Sequence, residues 1–325
     1  MARKRPDPLE LKLKHLRDIR EGNDFSDSIQ VELRRHLRDS HNYVASQAAR
    51  IIARERLPEF EDDLALTFER FMENPVESDP GSKAKEAAIA ALRELGCMAA
   101  VPYIRAIRHI QPEAAWGPPV DTAVSLRVNA AHALVECGYH DADLHLLDLL
   151  ADKEPICRSA AAEALGRLAT ETAELLLRQK ANFGDPEPEV MDATLSALVA
   201  ANPLRSLEFV ARFLRGTPAA ANSAAIAIAE ARSVAAFEIL AAHWEQCFAA
   251  SEREQLCFAI ALTRIEPAFD FLLEQIRDGH VRIATAVIKA LGMYSGDAKI
   301  RARVHDAASQ RSDLRPLLLA EHFPA

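Results

Sequence analysis

The stretch from Asn129 to Leu168, NAAHALVECGYHDADLHLLDLLADKEPICRSAAAEALGRL, decides the fold. A run of small residues ends in Ala133-Leu134 and breaks at Gly138. A bulkier segment, ADLHLLDLLAD, follows at 142–152, and the opening motif then returns as AAAEALGRLA at 160–169. Apolar residues in both kinds of segment recur at spacings of three and four, the period of an amphipathic helix. The stretch therefore reads as one helical hairpin and the start of the next.

Outward from this pair the motif continues. It appears as AAIAALRELG at 87–96, TLSALVAAN at 194–202, AAIAIAEAR at 224–232, FAIALTRIE at 258–266 and AVIKALGMYS at 286–295, with a divergent copy, AARIIARER, at 48–56. Its large apolar marker falls at Ile52, Leu92, Leu134, Leu165, Leu198, Ile228, Leu262 and Ile288 or Leu291. Counted to Leu291, the steps from marker to marker are 40, 42, 31, 33, 30, 34 and 29. A period near 30 with two long outliers is the mark of a helical solenoid. Each copy is followed by a second amphipathic segment, as at 99–110, 172–181, 204–214, 234–244 and 267–279. A lone hairpin cannot cover both of its apolar faces, so neighbours must stack. Asp141, Asp152 and Asp185 stand where an N-cap or an inter-repeat turn is needed, and Gly96 and Gly138 where first helices should stop.

Composition agrees with this phasing. The 325 residues include 60 alanines but only 11 glycines, and aromatics make up 6%. Sheets favour β-branched and aromatic residues, so this balance points away from an all-β chain. A net charge of −9 makes a poor general nucleic-acid binder. Five scattered cysteines without a CxxC read as reduced thiols. No stretch is long and apolar enough for a membrane span, and the basic N-terminus lacks the apolar core of a signal peptide. A cytoplasmic location is expected.

The Ala-rich first helices, with an Asp before the helix and an Arg near its start, resemble the HEAT repeat family. The likeness is to the short bacterial HEAT-like repeats also found in phycobilisome lyases. The residues carrying it are Asp152 with Ile156 and Arg158, Asp278 with Val281 and Arg282, and Leu126 with Arg127; the copy at 187–202 has Met191 and Asp192 instead. The resemblance implies an all-α, right-handed α-solenoid (a superhelix) of about eight to nine helical hairpins. The expected organisation is a single solenoid over 1–325, with capping helices in 1–40, repeats over 41–295, and a C-terminal cap in 296–325. Pro-rich loop insertions are expected at 73–82 and 111–124.

The resemblance also implies that the second helices line the concave face. Candidate partner-binding residues there are Arg105, Arg108, Arg178, Arg205, Arg212, Glu174 and Glu208, joined by Trp116 in the second insertion. Arginine offers a planar fork of donors, and an exposed Trp is a natural interface anchor. Trp244 lies in a regular helical pattern and reads as core. His140, Asp141, Asp143 and His145 carry metal-binding groups but read better as a helix start. None of the 11 histidines precedes a Glu, whereas deoxyhypusine hydroxylase, an enzyme of the HEAT class, binds iron through repeated His-Glu pairs. There is no GxSxG, P-loop or GxGxxG, so neither a catalytic residue nor a cofactor or metal is expected.

The segment 1–60 carries 13 Lys+Arg and 10 Asp+Glu, a net of +3, which leaves −12 for the rest. Arg3, Lys4, Arg5, Lys12, Lys14, Arg17 and Arg20 could meet an acidic partner or nucleic acid. The leading reading is a non-enzymatic scaffold or adaptor binding a protein or peptide. The alternatives are a lyase-like or chaperone-like accessory protein acting on a client, and a nucleic-acid-binding HEAT-like protein.

Overall fold

The computed structural model describes residues 7–22, 25–309, 311–314 and 321–323. The chain divides into two compact units, Met1–Leu165 and Gly166–Ala325.

The first unit holds α1 (Pro8–Gly22), α2 (Asp27–Leu37), α3 (Asn42–Arg54), α4 (Glu61–Met72), α5 (Pro75–Ser78), α6 (Lys83–Glu94) and α7 (Ala100–Ile107). A two-stranded ribbon follows, β1 (Pro112–Glu113) and β2 (Val120–Asp121), then α8 (Val124–Glu136), α9 (Ala142–Leu149) and most of α10 (Pro155–Leu168). Helices α1, α3, α6 and α8 pack in sequence as one layer, and α2, α4, α7 and α9 as the other. The alanines explain the first layer: Ala45, Ala48 and Ala49 of α3 and Ala84, Ala88 and Ala91 of α6 are all buried. Side chains this small let helix backbones come close, and they lose no rotamer freedom on folding. Phe60, Phe68, Phe71 and Tyr103 fill the space left elsewhere and are fully buried.

The second unit begins with the last turn of α10 and continues through α11 (Glu171–Phe183), α12 (Pro188–Ala201), α13 (Pro203–Ala211), α14 (Pro218–Glu230), α15 (Val234–Gln246), α16 (Ala250–Leu262), α17 (Glu266–Asp278), α18 (Val281–Leu291) and α19 (Ala298–Ala308). Helices α12, α14, α16 and α18 form the small-residue layer, and α15, α17 and α19 lie together in the other. The approach is closest at Gly166, where an added Cβ would meet the Cβ of Ala197 at 2.8 Å. Trp244 is buried, as its helical pattern implies, and packs edge-on against Phe271.

Most of the hairpin turns, though not those after α12 and α18, share one backbone solution. Gly96 and Gly138 close α6 and α8 with φ of +76° and +67°. Arg56, Ala169, Arg232 and Arg264 occupy the matching place after α3, α10, α14 and α16, also at positive φ. A left-handed residue there turns the chain and satisfies the last carbonyls of the helix.

Asp152 and Asp185 stand in the turns between repeats, where each accepts from the amide two residues on, Glu154 and Glu187, and holds a cation; Asp141 occupies the N-cap position of α9 without a side-chain capping bond. One sequence expectation is corrected. The 73–82 segment is not a plain loop, because α5 and a 3-10 turn at 80–82 occupy most of it. Residues 3–5 of the basic N-terminal cluster lie outside the described residues.

Candidate functional site

The two insertions of the first unit meet around a buried ion pair. Asp79 and Lys85 are both fully buried, with Nζ 3.1 Å from Oδ2. Asp79 also accepts from the amides of Ala84 and Lys85, so it caps α6 from four residues upstream, and from the side chain of Asn42 on α3 at 2.9 Å. Lys85 reaches the carbonyls of Phe71 and Pro75 as well. Burial pulls the Lys85 ammonium below the ordinary lysine range, and the Asp79 carboxylate opposes that pull. A pair this deep is tolerated only because its remaining donors and acceptors are filled.

Above it stands the ribbon, paired Pro112 to Asp121 and Glu113 to Val120. Its base is fixed by side chains. Gln111 donates to the Asp79 carbonyl at 2.9 Å and to Glu113 at 2.7 Å. The same Glu113 oxygen accepts from the Gly81 amide and the Thr122 hydroxyl, both at 2.7 Å. Asp121 accepts from the amides of Gln111 and Ala123 and pairs with Arg127 at 2.7 Å. Burial alone would raise both carboxyls, but these hydrogen bonds outweigh it and hold Glu113 and Asp121 below the usual carboxylate range. Arg127, only 2% exposed, then grips Asp152 with two guanidinium nitrogens, at 2.9 and 3.2 Å, and donates to the His109 carbonyl. Asp152 thus ties α8 to the turn before α10. Arg158 caps the series by donating to the carbonyls of Asp152 and Lys153.

This polar spine holds up a tip made of AAWGPPV, residues 114–120. Trp116 at its centre is fully exposed, at 109% of its reference area. Pro118 and Pro119 fix their own φ angles and limit how far the tip can fold back.

The charged candidates are placed as follows. Arg105 on α7 pairs with Glu69 on α4, and Arg108 lies 3.3 Å from the His145 ring on α9. In the second unit Arg178, Arg205 and Glu174 come together: Glu174 is buried, with Arg178 at 2.9 Å and Arg205 at 3.4 Å. Arg178 also lies over the Phe209 ring and donates to the Arg205 carbonyl, and Arg212 sits over the same ring. Glu208 is exposed. Most of these side chains staple one second helix to the next.

Arg282 pairs with Glu254 on the preceding first helix rather than with Asp278. His145 is buried beside Tyr139 and Arg108, and no group of three or more metal-binding side chains occurs among the described residues. All five cysteines are free and buried. Burial pushes the thiols of Cys157 and Cys257 up to about 11 and about 12, which keeps both protonated and poorly nucleophilic at neutral pH.

The sequence reading missed Asp79, Lys85, Gln111 and Glu113. A signal for Lys85 was present: it stands seven residues before its marker Leu92, as Arg127 and Arg158 stand before Leu134 and Leu165.

Residues 145–171 match the HEAT repeat model. No curated protein matches the chain in sequence. Among solved structures, it is similar to the complex of CpcE and CpcF of phycocyanin lyase from Nostoc sp. PCC7120, at 17% identity and a TM-score of 0.37, over 85% of this chain and 92% of that one. It is also similar to human deoxyhypusine hydroxylase in complex with glycerol, at 18% identity and a TM-score of 0.34, over 84% and 96%. An engineered protein aligns at 15% identity and a TM-score of 0.34, over 98% and 95%.

Proposed function

We propose that this chain, a helical-repeat protein with a HEAT repeat at residues 145–171, is a non-enzymatic scaffold or adaptor whose ribbon and second helices bind a protein partner. The observation that carries this reading is Trp116: a fully exposed indole on a ribbon whose base is fixed by a buried hydrogen-bond network. An indole has only two side-chain torsions to fix, and the backbone that carries it is anchored at its base, so it loses little entropy on binding, which is what an interface anchor requires. The neighbouring second helices add exposed apolar residues, Leu66 on α4, Val101 on α7, and Leu144 and Leu147 on α9. Buried, reduced thiols suit the cytoplasm, where such a scaffold would work.

The test is photo-crosslinking from a benzophenone residue at position 116 or at position 101 in native extract, with Trp116→Ala as the control. The expected result is one stoichiometric protein captured from both positions, with recovery at position 101 falling at least tenfold in Trp116→Ala. Capture that is unchanged in the variant, or absent from both positions, overturns the reading.

A further inference from the structure

A second surface of the first unit is built for anions. Helices α1 and α3 flank a groove of about 580 Å³ lined by Leu13, Leu16, Arg17, Arg20, Tyr43, Gln47, Arg50, Ile51 and Arg54. Four of these residues are arginines and none is a carboxylate. The placement follows from helix geometry: Arg50 and Arg54 are four apart on α3, and Arg17 and Arg20 three apart on α1, so each pair shares one face. All four side chains are exposed, above a floor formed by the buried Leu16 and Ile51. Lys83 of α6 extends the positive charge, with its Nζ 5.6 Å from the Tyr43 ring centroid.

The charges are only partly answered from within the protein. Arg54 pairs with Glu55 and donates to the Arg20 carbonyl, and Arg20 lies 3.7 Å from Glu21. Arg50 is within electrostatic reach of Glu86, whose carboxyl burial holds above the ordinary range. Among the described residues, the guanidinium groups of Arg17 and Arg50 make no hydrogen bond or ion pair.

We infer that this groove binds an acidic peptide segment, with carboxylates seated on Arg17 and Arg50. The planar guanidinium takes a carboxylate in two parallel hydrogen bonds, and a groove with an apolar floor strengthens each of them. Tyr43 and Gln47 supply further hydrogen-bonding groups between the arginines. Nucleic acid fits less well. Residues 61–165 of the same unit carry 9 Lys+Arg and 18 Asp+Glu, a net −9, so a long polyanion leaving the groove would meet repulsion from the rest of that unit. The groove also offers one aromatic ring, where base recognition relies on stacking platforms.

The experiment is fluorescence anisotropy of fluorescein-labelled hexaglutamate with the full chain at 50 and 500 mM NaCl. Labelled hexaglutamine and a six-nucleotide single-stranded DNA serve as controls. Expected are saturable binding of hexaglutamate at low salt, loss of affinity at high salt, and no binding of hexaglutamine. In the Arg17→Ala/Arg50→Ala double variant affinity falls at least tenfold. In the Arg17→Lys/Arg50→Lys variant, which keeps the charge but not the fork, it falls by less. Both arginines are exposed, so the circular dichroism melting curves of the variants should overlay the parent. Absence of hexaglutamate binding at 50 mM NaCl, equal affinity in the alanine variant, or tighter binding of the oligonucleotide would each overturn the assignment.

Discussion

In Met1–Leu165 three successive first helices carry a buried cation seven residues before the marker leucine: Lys85, Arg127 and Arg158. In Gly166–Ala325 the same place holds Met191, Ala221, Gln255 and Ala284. The second unit puts most of its inter-repeat charge on the surface instead, as in Arg205 with Glu171, Arg282 with Glu254, and Arg303 with Glu266 and Asp270. Glu174, and the Asp185 side chain with Lys180, are buried exceptions. The two solutions differ in kind. Exposed pairs contribute little to stability and tolerate loss, because water replaces the partner. Buried ones cost several kcal/mol in desolvation and remain favourable only when every partner is in place. They therefore fix the register of one repeat on the next where two insertions have to meet, a specification that apolar packing leaves looser.

Breaking the buried set gives the largest expected effect. Lys85→Met leaves the Asp79 carboxylate buried without its cation, at a cost of about 3–5 kcal/mol. Hydrogen exchange read by mass spectrometry should show lost protection across residues 42–136 and unchanged protection across 188–291. Equal loss in both segments would mean that the buried pair is not specific to the first unit.

Acid sharpens the same contrast more gently. Burial, as the main cause, holds the imidazoles of His36, His109 and His145 below the ordinary 6.5, and in the second unit does so for His243. The unfolded chain then takes up protons before the folded one, so stability is lost as pH falls below 6.5. Glu113 and Asp121 add to the loss at lower pH. Their folded values lie below the ordinary carboxylate range, so their contribution is present above that range and disappears as pH falls through the folded values. Exchange rates between pH 7 and pH 5, corrected for intrinsic chemistry, should rise more in the first unit than in the second.

The smallest expected effect is that of Arg282→Ala. Its partner Glu254 lies on the surface of α16, and the melting midpoint should not move measurably. A clear drop would show that surface pairs hold the second unit together after all.

The array itself was legible in the sequence, because small-residue helices recur at a near-constant interval and glycines or their substitutes end them. Arg127, Asp152 and Arg158 were visible too, since family resemblance marks an Asp and an Arg around each helix start. Asp79 was not, and Lys85 was marked only by its place seven residues before Leu92. Asp79 stands in an irregular segment where no periodicity points to burial, and a lysine is rarely fully buried unless it is paired. That pairing depends on Gln111 and Glu113, far along the chain in the other insertion. Nor did spacing show which arginines would be taken up by other helices: Arg105 and Arg205 find their acids on another second helix and Arg178 finds Glu174 on its own, whereas Arg17 and Arg50 pair with no acid among the described residues.

The shared hydrogen bonds of the two insertions bear on how this molecule was assembled over generations. Gln111 closes on the Asp79 carbonyl, and Glu113 on the Gly81 amide. Either insertion alone would lack the hydrogen bonds that the other supplies to it. The heritable module here is accordingly larger than one repeat. It runs from Asp79 through Arg127, and recombination that cut inside it would yield a chain poorer than either parent.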